Sequence, residues 1–135
     1  MKKAALLFLL CLLLLLPSCS SDRADFEKLH EAFVARGETV QGYEVDDITE
    51  FENIAYFTVR VCLNTEDAVT LDDYVWFEAN ALCFETEEEA VAAYEQNQAT
   101  GLGGTCIRRG KILLYWLQND VFEDLYKEVF NSVFG

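Results

Sequence analysis

Residues 54–63 read IAYFTVRVCL and residues 74–84 read YVWFEANALCF, and each of these two stretches predicts a long β-strand. Within each stretch, apolar residues occupy every second position, which is the period of a β-strand whose alternate side chains point to opposite faces. One face of each predicted strand is purely apolar, whereas the other mixes aromatic, polar and charged side chains. This pattern is typical of a sheet that packs against helices on one side and exposes the other side.

Helical patterns flank the two strands. A first helix is predicted over Ala24 to Arg36, with Asp22 as its N-cap. Thr86 and Glu89 have the spacing of a capping box and open a second helix. A third helix is expected to start near Asp120, because a stripe of apolar residues at helical spacing follows it to the end of the chain.

A hairpin is expected over residues 105–117, with its turn at Arg109-Gly110, because glycine adopts positive φ at little cost. Residues 40–45 are a candidate for a short edge strand. The predicted order of elements is therefore α-β-β-α-β-β-α. We expect one small α+β domain, with a largely antiparallel sheet of four strands, or five with the edge strand, and with the helices packed on one face.

The strand order carries a prediction about cysteines. A crossover from the second long strand through the second helix makes the next strand parallel to it and leaves room for one strand between them. Placing the first long strand there gives the order 2-1-3-4, which predicts a disulfide between Cys62 and Cys106 and leaves Cys83 as a buried free thiol. Three buried thiols are the alternative. Residues 112–117 argue against this order, because they are apolar on both faces, as in a central strand.

The N-terminus has the pattern of an export signal. Two lysines precede an apolar run from Ala4 to Leu16, which as a helix would be roughly 20 Å long, whereas a hydrocarbon core is about 30 Å thick. The small residue Ser18 then precedes Cys19. Residues 1–19 thus resemble the signal peptide and lipobox of bacterial lipoprotein precursors, with Pro17 as a departure from the residues usual there.

The resemblance implies where the protein is located. Residues 1–18 would be removed, Cys19 would carry a diacylglyceryl thioether, residues 19–23 would be a short tether, and residues 24–135 would form the domain. Two acyl chains anchor a protein stably, whereas one chain binds reversibly. The expected location is the bacterial cell envelope, with the chain attached to the membrane through the lipid and facing outside the cytoplasm. A plain secreted protein whose Cys19 pairs elsewhere is the alternative.

Charge narrows the classes of partner. Removal of residues 1–18 leaves 117 of the 135 residues, which is enough for one core. The 10 basic residues of the chain, less Lys2 and Lys3, then face 24 acids, a formal net charge of −16. Such a chain repels phosphate backbones, so nucleic acid is excluded as a partner. The expected partner, besides the membrane, is a protein or a small ligand.

No motif in the sequence carries a specific chemistry, so we assign no catalytic residue, metal site or cofactor. His30 is the single histidine, and its spacing from Phe26 and Phe33 favours a packed or surface position. The acids Glu44, Asp46, Asp47, Glu50 and Glu52 supply oxygen ligands suited to Ca²⁺, but they lack the order of an EF-hand loop. A solvated acidic loop is the simpler interpretation.

The open face of the sheet is the best candidate for a binding surface, because aromatic rings next to an arginine offer apolar area together with a fork for carboxylates. Its assigned residues are Tyr56, Arg60, Trp76, Glu78, Asn80 and Arg108. The alternative is that these side chains merely solvate an exposed face.

These patterns favour a lipid-anchored binding or interaction module without chemistry of its own. One alternative is an envelope enzyme with a carboxylate-based site that includes Glu78, in which at least two titratable side chains would converge in a pocket. Another is a subunit of an envelope assembly, for which an exposed apolar patch or an unpaired edge strand would be the sign.

Overall fold

In the computed structural model, described for residues 22–37, 42–63, 75–100 and 104–135, the two alternating stretches form long paired strands. The predicted α+β class is confirmed. The described elements are, in chain order, α1 (22–37), β1 (Tyr43–Val45), β2 (Thr49–Phe51), β3 (Ile54–Leu63), β4 (Val75–Cys83), α2 (Glu87–Thr100), β5 (Gly104–Arg109), β6 (Ile112–Leu117) and α3 (Glu123–Phe134).

The strands form one antiparallel sheet in the order β1-β3-β4-β6-β5. β2 also pairs with β3, so β1 and β2 together make a broken edge strand along the outer side of β3. No pattern in the sequence predicted β2. Its turn into β3 uses Glu52 and Asn53, which both adopt positive φ although neither is a glycine.

The predicted order 2-1-3-4 is wrong in one respect. β4 and β5 are parallel to each other with one strand between them, as the crossover requires, but that strand is β6 rather than β3. The apolar character of residues 112–117 on both faces was the correct signal, because helices cover β6 on both faces: α1 and α3 on the core face and α2 on the other.

This order rules out the predicted Cys62–Cys106 disulfide. Two strands lie between β3 and β5, which at about 4.8 Å per strand places the two cysteines roughly 14 Å apart across the sheet, beyond the 7 Å or so that a disulfide spans. Both cysteines are buried free thiols. Cys83 is a buried free thiol in the core, as predicted.

The core lies on the face of the sheet that the alternation assigned to it. α1 inserts Phe26, Leu29 and Phe33 against this face, and the rings of Phe26 and Phe33 both contact Phe57 of β3. α3 adds Tyr126, whose ring lies 5.4 Å from that of Trp116. Burial of these large side chains, each of which contributes about 1.5–3 kcal/mol, is the main term that holds α1 and α3 to the sheet.

α2 lies against the opposite face of the sheet, over β5 and β6. The prediction had placed all helices on one face. Gln98 of α2 donates to the Cys106 thiol, and Ala93 and Asn97 line a small cavity together with Leu113. Cys106 and Leu113 are apolar residues on the second face, and without α2 they would be exposed to water. α2 therefore covers about half of this face and leaves the β3–β4 half open.

The turn of the hairpin and the start of α3 differ from the predictions, whereas the start of α2 agrees with them. The capping box forms, with reciprocal bonds between Thr86 and Glu89. The hairpin turn is Gly110-Lys111 rather than Arg109-Gly110, because Arg109 still pairs with Ile112. α3 starts at Glu123, after a turn that Asp120 caps. Among the described residues, no helix is long and apolar enough to cross a membrane.

Candidate functional site

The open half of the second face brings together five of the six residues assigned to the binding surface. Tyr56 and Arg60 lie on β3, and Trp76, Glu78 and Asn80 lie on β4. Arg60 is opposite Glu78 in the ladder. The hydroxyl of Thr58 donates to the side-chain oxygen of Asn80 at 2.8 Å, so the amide group of Asn80 is fixed in orientation.

Arg60 is occupied by carboxylates of its own chain. Its Nη1 donates to Asp46 Oδ1 at 2.8 Å, and its Nε donates to Glu78 Oε1 at 3.0 Å. These bonds, that to Asp46 above all, raise the pKa of Arg60 above its ordinary value. Asp46 is held in place by its backbone, since its N–H donates to Thr58 and its carbonyl accepts from His30. The fork that the sequence suggested for a ligand carboxylate is therefore engaged within the protein.

Arg108 is separated from the other five residues. The row of paired residues that contains Tyr56 continues through Leu82 and Leu113 to Arg108, so three strand spacings, roughly 14 Å, separate the two ends. Arg108 lies beside α2, where it donates to Glu87 at 3.3 Å and to the carbonyl of Gly110 at 2.8 Å. It does not belong to the same surface.

A cleft opens where β6 ends and β4 continues. β4 pairs with β6 only as far as Ala79, so residues 75–78 pair with β3 alone. The cleft has a volume of 520 Å³ and is lined on one side by Trp76 and Glu78 and on the other by Leu117 and Asp120. Trp76 is 47% exposed and Leu117 is 70% exposed, so both sides of the cleft offer apolar surface to solvent.

Backbone groups also point into this cleft. The N–H of Cys62 and the carbonyl of Thr58 both bond toward β1, so the alternation of the ladder turns the backbone of Val61 toward Phe77 of β4. The N–H and C=O of Trp76 then point away from β3, to the side where β6 has ended. The cleft thus combines an indole ring with backbone hydrogen-bonding groups.

Asp120 lies at the base of the cleft and has a structural task. It is 7% exposed, and its two oxygens accept from the N–H of Phe122 at 2.8 Å and from the hydroxyl of Tyr126 at 3.0 Å. Burial raises the pKa of Asp120, and these two hydrogen bonds oppose the shift. The carboxyl group caps the turn that leads into α3, so both of its oxygens are already bound within the protein.

These contacts decide what the site can do chemically. Glu78 is bound to Arg60, and Asp120 is bound to Tyr126 and a backbone amide, so the two carboxyl groups of the cleft are engaged as acceptors rather than aimed at a common point. His30 packs edge-on against Phe57. Among the described residues, no group of three or more metal-ligating side chains lies close enough together to hold an ion. The geometry suits binding better than acid–base catalysis.

The cleft and the start of α1 lie at opposite ends of the sheet. A Cβ built on Gly110 would be 3.1 Å from the carboxylate of Asp22, so the β5–β6 turn adjoins the first residue of α1. Arg23 forms an ion pair with Glu50 of β2 at that same end. β6 runs from this turn to the cleft, a distance of about 17 Å for its five steps of 3.3 Å.

Sequence reasoning missed half of the cleft. Leu117 and Asp120 lie where β6 turns into α3, and the sequence does not show which strand β6 neighbours. Two features of the sequence could have indicated this half of the cleft. Leu117 extends the apolar run of β6 onto the mixed face, and Asp120 stands two residues before Phe122, whose N–H it caps.

No family model, curated protein or solved structure matches the chain. The predicted lipidation site Cys19 and the predicted signal peptide lie outside the described residues.

Proposed function

We propose that the chain is a lipid-anchored binding module of the bacterial cell envelope, and that the cleft beside Trp76 is its ligand site. The observation that carries the site is the cleft itself, with its exposed indole and leucine at a step in the sheet. The anchor rests on the lipobox pattern that ends at Cys19. Nothing in the proposal requires a chemical reaction.

The charges of the cleft favour a cationic group with an apolar surface. Its lining contains no basic side chain, and its acid Glu78 shares Arg60 with Asp46, so these three groups keep one net negative charge. The face of an indole attracts a cation by about 0.5–2 kcal/mol, and it does so best for weakly hydrated ammonium groups. The formal net charge of −16 that remains after removal of residues 1–18 adds a long-range attraction for cations.

The proposed anchor also orients the cleft. Two residues, Ser20 and Ser21, lie between Cys19 and Asp22, and the three Cα–Cα steps span at most about 11 Å. The start of α1 would then lie close to the bilayer, and the cleft at the other end of the sheet would face away from it. A ligand would therefore arrive from the aqueous side.

Choline and its uncharged isostere 3,3-dimethylbutan-1-ol test the ligand site. We expect choline, at millimolar concentration, to shift the NMR resonances of the Trp76 indole N–H and the Leu117 methyl groups, and the isostere to shift them far less. Trp76→Ala should abolish the choline shift at Leu117, whereas Tyr56→Ala, which changes an aromatic residue of the same face outside the cleft, should leave it unchanged. Equal shifts from both compounds would refute a cation site.

Cys19→Ser tests the anchor separately. The unaltered protein should partition into the detergent phase of a Triton X-114 extract, and mass spectrometry should find its mature N-terminus at a diacylated Cys19. The variant should remain in the aqueous phase or keep its first 18 residues. An unmodified Cys19 in the mature protein would overturn the anchor and would leave the cleft proposal standing.

A further inference from the structure

β5 ends the sheet among the described strands, and its outer edge faces a groove between α2 and α3. The groove has a volume of 640 Å³. Val91 and Tyr94 of α2 line one wall, and Phe130 of α3 lines the other. An edge strand that lies at the bottom of a groove is the arrangement to which an extended peptide adds as one more strand.

The ladder bonds determine which backbone groups point into the groove. Phe84 N–H donates to the carbonyl of Lys111. Counting back from Phe84 along β4, every second residue therefore uses its backbone groups to bond toward β6. It follows that Leu113 and Tyr115 bond toward β4, and that Leu114 and its neighbours Ile112 and Trp116 bond toward β5.

By the same alternation, Thr105, Ile107 and Arg109 use their backbone groups to pair with β6. The N–H and C=O of Cys106 and Arg108 therefore point outward into the groove. These two residues present two donors and two acceptors at the spacing of a strand, which is what an incoming strand needs in order to pair.

The charges around the groove favour a basic partner. Arg108 and Lys127 also line the groove, but each is already bound to an acid of its own chain, Arg108 to Glu87 and Lys127 to Glu123. Glu95 lines the groove from α2, and α2 carries four acids and no basic residue. A second copy of the same acidic chain would meet repulsion here.

We propose that β5 is a docking edge for an extended segment of another protein, which pairs with Cys106 and Arg108 through its backbone and places a lysine or arginine side chain beside Glu95. The apolar side chains of the segment would pack on Val91, Tyr94 and Phe130. This interaction is independent of the cleft beside Trp76, and it adds a protein partner to the proposed function.

A matched pair of variants tests the backbone pairing. Arg108→Pro removes the outward N–H and keeps the pairing with β6, because proline is tolerated on an edge strand where its missing donor faces solvent. Arg108→Ala removes the same side chain and keeps the N–H. The full-length chain is titrated with the probe peptide acetyl-KVTVTVK-amide, and the dissociation constant and the residue-resolved amide exchange are measured by NMR.

We expect the peptide to slow amide exchange at Cys106 and Arg108 while Ile107, already bonded to β6, changes little. Arg108→Pro should bind the peptide about tenfold more weakly than Arg108→Ala does, the upper range for one hydrogen bond. Replacing both lysines of the peptide by glutamate should weaken binding by about tenfold at low salt. Glu95→Lys should remove this preference, and the exposed control Glu31→Lys should keep it.

Three results would overturn the proposal. One is equal affinity of the proline and alanine variants for the peptide. Another is unchanged exchange at Cys106 and Arg108 when the peptide is bound. The third is a concentration-dependent dimer of the chain that Arg108→Pro dissolves, because the edge would then pair with a second copy rather than with a basic partner.

Discussion

The hydroxyl of Tyr126 should contribute strongly to stability, and Tyr126→Phe removes it without opening a cavity. The ring stays against Trp116, at the 5.4 Å separation of their centroids, so packing is retained. What is lost is a 3.0 Å hydrogen bond to Asp120, a carboxyl group that is 7% exposed. A hydrogen bond to a charged group contributes about 1.5–3 kcal/mol, so the free energy of unfolding should fall by that amount at pH 7.

The cost should also depend on pH. The Tyr126 hydroxyl lowers the pKa of Asp120 against the larger effect of burial, so its removal raises that pKa further above the ordinary value of 3.8. The folded variant then holds the proton to higher pH than the folded wild type does. The cost of the substitution therefore grows as pH rises through both folded-state pKa values, from about 0.5–1.5 kcal/mol with a protonated carboxyl to its full size at pH 7.

Urea unfolding followed by circular dichroism between pH 4 and pH 7 measures both effects. At pH 7 the midpoint of Tyr126→Phe should fall by roughly 1 M urea, given a slope of about 1–3 kcal/mol per molar for a domain of this size. Tyr56→Phe removes an exposed phenol hydroxyl and should stay within about 0.5 kcal/mol of the wild type. A cost for Tyr126→Phe below 0.5 kcal/mol, or one that does not change with pH, would contradict a stabilising bond to the Asp120 carboxylate.

Three further outcomes are expected. Phe57→Ala, at the centre of the aromatic contacts with α1, should cost about 3–5 kcal/mol in urea unfolding, whereas exposed Phe51→Ala should cost under about 0.5 kcal/mol; similar costs would contradict the assigned core. Gly42→Ala should lower the free energy of unfolding by about 2 kcal/mol, and Gly135→Ala should lower it by under about 1 kcal/mol. Both glycines have positive φ, but only at position 42 would an added Cβ lie 3.0 Å from the Cβ of Cys62. Equal shifts in melting temperature would contradict this difference. Iodoacetamide added to the denatured, unreduced chain should label all three thiols of the domain, those of Cys62, Cys83 and Cys106. Two thiols that stay unlabelled would instead indicate a disulfide between them.

Local patterns predicted the elements of this fold well, because each depends on residues close in sequence. The alternation over residues 54–63 gave the bounds of β3, and the capping box at Thr86 gave the start of α2. The order of the strands could not be derived in the same way. It depends on whether β3 or β6 fills the gap between β4 and β5, and this choice is settled by burial on both faces of the sheet at once.

The candidate site shows the same division. Alternation correctly placed Trp76, Glu78 and Asn80 on one open face. It could not show that Arg60 is held between Asp46 and Glu78, because Asp46 reaches it from a loop outside the ladder. It also could not place α2, whose apolar residues form no single stripe, so that the covering of Arg108 and Leu113 was invisible in the sequence.

An anchor at Cys19 would give the two proposed surfaces different partners. The β5–β6 turn adjoins Asp22, and the cleft lies about 17 Å from this turn, at the opposite end of the sheet. A ligand in solution therefore has direct access to the cleft. The edge of β5 instead runs along the side of the domain, from this turn toward the cleft end, so a strand that pairs with it must approach parallel to the membrane. A segment of a neighbouring protein held at the same membrane meets that condition without any loss of reach, and its attachment raises its effective concentration at β5.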